Sequence, residues 1–175
     1  MTITGGAQDF ALAPDLHMAF DRGIVTVGQA AKAWFFTSGS DTGVMKHVGS
    51  AMSRYDVHRP LIGIFPLGVT KGKGVLTMHK GKVAPYVLEE KEMYADGNGA
   101  PLNPYHTHFV LVDNGVEGSS AWGSEIFMRS ALEAVAAEIK GTPIVQLVVQ
   151  GGPGTIKTVL STAMVRHPLR GSHRG

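Results

Sequence analysis

Two glycine-rich turns, each closing an apolar run, carry the residue types that could do chemistry in this chain. The first is Thr37-Ser38-Gly39-Ser40-Asp41-Thr42-Gly43, after Trp34-Phe35-Phe36. The second is Gly151-Gly152-Pro153-Gly154-Thr155, after Pro143-Ile144-Val145-Gln146-Leu147-Val148-Val149. Each leads into a stretch that can be helical. A strand, a glycine turn and a helix start together aim backbone N–H groups and a positive helix end at an anion. Glycine also lets the backbone approach a phosphate closely. Two such turns in one short chain predict two sides of one phosphate-containing ligand. Thr37, Ser40 and Thr42 add hydroxyls to the first, and Asp41 is suited to cap the helix or to reach a ribose hydroxyl.

Other side chains have two readings each. Arg129 falls in the first turn or so of a helix, where a cation opposes the dipole. It either pairs with Glu125 or Glu133 one turn away or grips a phosphate with its bidentate fork. Trp122, in a polar loop, either stacks on an adenine or anchors the loop on the core. His106 and His108 are two apart, so on a strand they share a face. They could begin a zinc site, but no third ligand is evident, and shaping the crevice rim or satisfying backbone groups is the simpler role. Asp41-Thr42-Gly43 matches the aspartic-protease tripeptide, yet that site needs two such aspartates in an all-β setting. No serine-hydrolase elbow or Walker-type loop is present.

The elements that must position these residues follow from apolar runs. Strands are expected at Met1–Thr4, Trp34–Thr37, Leu61–Pro66, His108–Asp113 and Pro143–Val149. The first looks clipped, which suggests a domain that begins upstream. Helices are expected from Pro14, with Leu16, Phe20, Ile24 and Val27 at helical spacing; from Val44, with Val48 and Met52 on one face; from about Glu125 to Lys140, with Met128, Leu132, Val135 and Ile139 as the core stripe; and over Thr155–Met164. The strands read as continuous apolar runs rather than alternating ones, the pattern of a mostly parallel sheet covered on both faces. Right-handed crossovers would then bring both glycine turns, Gly5-Gly6 and Asp113-Asn114-Gly115 to one sheet edge. The Lys- and Gly-rich segment Leu67–Tyr105 is too long for a simple connection. It reads either as a lid or partner-contact insertion or as a surface excursion, with a small hairpin around Tyr86-Val87-Leu88.

The 175 residues suit one domain, 1–164, with 165–175 a disordered basic tail. Lys plus Arg number 16 against 14 Asp plus Glu, a net charge of +2 that argues against a nucleic-acid partner held by bulk charge. The absence of cysteine excludes disulfides, zinc–thiolate sites and cysteine nucleophiles. No apolar run reaches the ~20 residues needed to cross a bilayer, and no secretory signal opens the chain. The expectation is a soluble, cytoplasmic module.

Several motifs in order resemble one family. Thr4-Gly5-Gly6-Ala7-Gln8-Asp9-Phe10, Ala33-Trp34-Phe35-Phe36-Thr37-Ser38-Gly39 and Thr42-Gly43-Val44-Met45-Lys46-His47-Val48-Gly49 are similar to the N-terminal cytoplasmic region of TRPM (melastatin-type) ion channels. So are His106-Thr107-His108-Phe109-Val110-Leu111-Val112-Asp113-Asn114-Gly115, the helix positions Glu125, Arg129, Leu132 and Glu133, and Gly151-Gly152-Pro153-Gly154. After Met164 the likeness fades. The resemblance implies a SLOG domain, a Rossmann-like nucleotide-binding fold distantly related to LOG (Lonely Guy) phosphoribohydrolases and DprA-type proteins.

What the resemblance implies is a sensor or regulatory domain of a calcium-conducting cation channel, binding ADP-ribose or a related nucleotide and requiring no cofactor. Its partners would be that nucleotide and the rest of a channel or another protein, and a homo-oligomer is compatible with it. LOG enzymes carry a Glu three residues after the Thr of a Gly-Gly-x-Gly-Thr motif. Here that position is Thr158, which cannot serve as a carboxylate general base, although Glu125 could substitute. A LOG-like hydrolase and a purely structural interaction domain are the alternatives.

Overall fold

The computed structural model describes residues 1–94 and 99–166. The expected disordered tail, 165–175, falls largely outside them, and helix assignment continues to Arg166. Five strands form one sheet: β1 (Thr2–Gly5), β2 (Phe35–Thr37), β3 (Leu61–Pro66), β4 (His108–Val112) and β5 (Gln146–Val149), in the order β4-β3-β2-β1-β5. Every pairing is parallel. The chain steps outward from β1 to β4, then returns across the sheet to place β5 on the other side of β1. The direction of winding thus reverses between β1 and β5, where open α/β sheets leave a crevice beyond the carboxyl ends of the strands.

Helices cover both sides of the sheet. α1 (Pro14–Ala30) and α2 (Gly43–Arg54) pack on one another, as do α5 (Ile126–Lys140) and α6 (Pro153–Arg166). The main core lies under α1 and α2, where Ile24, Val44, Val48 and Met52 meet Ile3, Phe35 and Leu61. The spacing of Val44, Val48 and Met52 therefore does report a buried face.

The stripe of α5 does not. Met128, Val135 and Ile139 are 43, 51 and 76% exposed, and the buried residues of this helix are Arg129, Ser130 and Glu133. The sheet beneath α5 presents Thr2 and main-chain carbonyls, so the helix turns its hydrogen-bonding side inward. The edge strands are also less covered than their apolar runs suggest, with Val148 of β5 47% exposed.

The long segment after β3 contains α3 (Lys73–Met78) and α4 (Glu90–Tyr94) and, among the described residues, no hairpin around Tyr86. The Tyr86 hydroxyl donates to Lys71 O at 2.7 Å and accepts from Leu102 N at 3.1 Å. Val69, Ala100 and Leu102 from this segment form a second apolar cluster with Phe65 and Ala121. The segment is therefore packed into the fold, not merely laid over it.

Candidate functional site

The carboxyl ends of β1, β2 and β5 open into a cavity of about 690 Å³, within the size range of sites for small ligands. Gly5-Gly6 lines it. Ser38 and Ser40 supply one wall, Gly151–Thr155 the other, and Trp122, Glu125 and Arg129 a third. The two glycine turns thus do face one crevice.

They are not equivalent. In the first turn the N–H of Gly39 donates to Thr37 Oγ1 at 2.8 Å and that of Asp41 to Pro101 O at 2.8 Å. The N–H of Gly43 donates to Asp9 Oδ1 at 2.8 Å and that of Val44 to Gly6 O at 3.0 Å. The amino end of α2 therefore already holds a carboxylate, that of Asp9, whose other oxygen lies 3.4 Å from Lys46 Nζ. The expected cap, Asp41, does not serve: its carboxylate accepts from Asn103 Nδ2 at 2.7 Å. Thr42 occupies the cap position without a side-chain capping bond, its hydroxyl 2.9 Å from that of Ser40. Gly43 is fixed by geometry, since its φ is +53° and a Cβ there would lie 2.0 Å from Gly6 O.

Thr37, Gly39, Asp41 and Thr42 consequently do not line the cavity, although all four were expected in the site. Thr37 is fully buried and its Oγ1 lies 2.7 Å from His106 Nε2, while His106 Nδ1 lies 3.0 Å from Asn103 Oδ1. Burial pushes the His106 pKa down to about 4. His108 is exposed and bonds Thr107, so the two histidines do not act together. Among the described residues no group of three His, Asp or Glu side chains could hold a metal.

In the second turn Thr155 Oγ1 donates to Gly5 O at 3.0 Å, stitching the start of α6 to the end of β1, and accepts from Gly152 N at 3.4 Å. The amino end of α6, at Pro153-Gly154-Thr155, opens directly onto the cavity, with Lys157 beside it. Thr158 lines the cavity too; its hydroxyl donates to Gly154 O at 3.1 Å.

Arg129 is 4% exposed. Its Nε donates to Glu133 Oε1 at 2.8 Å, and its Nη2 to Thr2 Oγ1 at 2.5 Å, Ile3 O at 2.9 Å and Phe36 O at 3.2 Å. Thr2 Oγ1 in turn donates to Glu133 Oε1 at 2.5 Å. The guanidinium ties α5 to the two central strands, and the pairing with Glu133 is a buried one. These bonds use Nε and Nη2; the residue also lines the cavity. One turn earlier Glu125 is 9% exposed, lines the cavity and has Oε2 without a hydrogen-bond partner. Burial pushes its carboxyl above the usual range, opposed by a backbone hydrogen bond and the charge of Arg129. Trp122 is 43% exposed, its ring edge-on to Phe65 at 5.5 Å; it anchors on the core and still shows a face to the cavity rim.

Sequence reasoning missed Asp9, which caps a helix 34 residues away. It named Glu125 as a partner for Arg129 and as a substitute carboxylate, not as a buried, unpartnered group on the cavity wall. No local pattern marks either role.

An all-parallel sheet with a ligand-sized crevice at its winding reversal defines a Rossmann-like α/β protein. The chain matches the family model described as SLOG in TRPM over residues 1–169 and belongs to that family. It is similar to the transient receptor potential cation channel subfamily M member-like 2 of Nematostella vectensis, at 37% identity over 91% of this chain. It is similar to subfamily M member 2 of Mus musculus at 36% over 91%, and to subfamily M member 7 of Homo sapiens at 35% over 97%. The chain spans 11, 11 and 9% of these relatives, about a tenth of their length. No helix among the described residues is long and apolar enough to cross a membrane.

Proposed function

We propose that this chain is a regulatory module that binds a nucleoside diphosphate, ADP-ribose or a close relative, and reports it to a TRPM-like channel from the cytoplasmic side. One observation carries the reading: the amino end of α6, Ser38 and Ser40, and the Arg129 side chain converge on a single cavity of about 690 Å³. The amino end of α6 and Lys157 suit an anion there. The amino end of α2 suits one less, because Asp9 already occupies it. The diphosphate is therefore assigned to the β5 side, with Ser38 and Ser40 closing over it.

The module holds its ligand without cleaving it, because Thr158 supplies no carboxylate beside the α6 turn. A LOG-like hydrolase is the second reading, favoured by one feature, the buried carboxyl of Glu125 in the same cavity. Calorimetry of the purified chain against ADP-ribose, AMP, NAD and cyclic ADP-ribose tests the binding. Saturable heat with ADP-ribose supports it; no heat with any of the four overturns it.

A further inference from the structure

The third wall of the cavity changes character with depth. Trp122 at the rim is 43% exposed, Glu125 is 9% exposed and Arg129 is 4% exposed. The order along the chain is aromatic ring, carboxyl, guanidinium, and all three line the same cavity. An adenosine phosphate presents base, ribose and phosphate in that same order. Resting on the nucleotide-binding reading, we propose that Glu125 is the residue that selects a ribose, taking a hydroxyl of the sugar's vicinal diol on its Oε2.

The chemistry of the carboxyl supports this assignment. Glu125 Oε2 is buried and has no hydrogen-bond partner in the protein, and such a group is costly unless a ligand or water completes it. An ionised carboxyl accepts hydrogen bonds only and repels phosphate; a protonated one also donates. A hydroxyl both donates and accepts, so it satisfies Glu125 in either form, and no part of a phosphate does so when the carboxyl is ionised. Ser124 Oγ and Glu133 Oε2 are likewise buried without a partner, but of these residues Glu125 alone lines the cavity. Glu133 Oε1 serves Arg129 and Thr2, and Ser130 donates to Ser161 Oγ at 2.9 Å. Glu125 and Arg129 are also four residues apart, one helical turn or about 5–6 Å, which is the distance scale between a ribose diol and the phosphate on the same sugar.

The test compares ADP with 2′,3′-dideoxy-ADP by calorimetry on the whole chain, in the wild type and in Glu125→Ala. Loss of a hydrogen bond to a charged group weakens binding roughly tenfold or more. The wild type is expected to prefer ADP by that factor, and Glu125→Ala to bind the two alike. Thermal melting checks that the variant folds. If it does not, Glu125→Gln, which keeps the shape, is expected to narrow the preference severalfold. Equal binding of the two nucleotides by the wild type overturns the assignment, as does a variant that folds and keeps the full preference. Those results leave nucleotide binding itself standing. No binding of ADP, its dideoxy form or ADP-ribose overturns both proposals together.

Discussion

Thr37 Oγ1 and His106 Nε2 lie 2.7 Å apart, in a part of the first glycine turn that does not line the cavity. Asn103 Nδ2 donates to Asp41, so Asn103 Oδ1 is the acceptor for His106 Nδ1–H. Nε2 is then the bare nitrogen and accepts the Thr37 hydroxyl proton, while that hydroxyl accepts from Gly39 N–H. The chain Gly39–Thr37–His106–Asn103–Asp41 is complete with a neutral imidazole and breaks when it is protonated.

The pH dependence of stability follows. His106 has a folded pKa of about 4 against 6.5 in the unfolded chain. The unfolded state therefore binds the proton first as pH falls. The stabilisation is fully present above 6.5 and is lost between about 6.5 and 4, a total of about 3 kcal/mol. Urea unfolding at pH 7 and pH 4.5 measures it. His106→Gln is expected to be less stable at pH 7 and to lose less on acidification than the wild type. An equal loss in both would contradict the relay.

The Asp9 cap is tested by Asp9→Ala. The variant leaves the Gly43 amide without its carboxylate and is expected to cost about 1 kcal/mol, read as a lower urea midpoint with an unchanged slope. If the variant unfolds at the wild-type midpoint, Asp9 contributes nothing to α2.

Arg129 holds the fold together before it can hold a ligand. Arg129→Ala leaves Glu133 buried and unpaired and is expected to destabilise by about 3–5 kcal/mol. The double variant Arg129→Met with Glu133→Leu removes both charges and is expected to recover most of that loss. Folded but lacking the guanidinium, it should bind ADP-ribose about 1.5–3 kcal/mol more weakly than the wild type. Wild-type affinity in the folded double variant would reduce Arg129 to a structural role.

The catalytic question has a direct assay. Incubated with AMP or ADP-ribose, the protein is expected to release neither adenine nor ribose 5-phosphate. Products that scale with protein concentration through rigorous purification would promote the hydrolase reading, with Glu125 the residue to replace first.

Much of this was legible in the sequence because apolar runs and glycine clusters are local signals. The five strands, the parallel sheet and the shared crevice of the two turns all come from them. What failed was inference from apolarity to burial. The stripe Met128, Val135 and Ile139 has helical spacing, yet the helix buries Arg129, Ser130 and Glu133, because Thr2 and two strand carbonyls need hydrogen-bond partners there. The Asp9 cap and the His106 relay join residues 34 and 69 positions apart, which no window along the chain can see. Tyr86, expected in a hairpin, uses its hydroxyl to tie Lys71 to Leu102 instead.

The central claim is that the cavity beyond β1, β2 and β5 holds a nucleotide diphosphate, and amide NMR during an ADP-ribose titration tests it most directly. The account predicts saturable shifts at Ser38, Ser40 and Gly151, Gly152, Gly154 and Thr155 together, with the Trp122 indole N–H moving on the same curve. Saturating ADP-ribose that leaves these signals in place, or that shifts only residues at the opposite edge of the sheet, would contradict it.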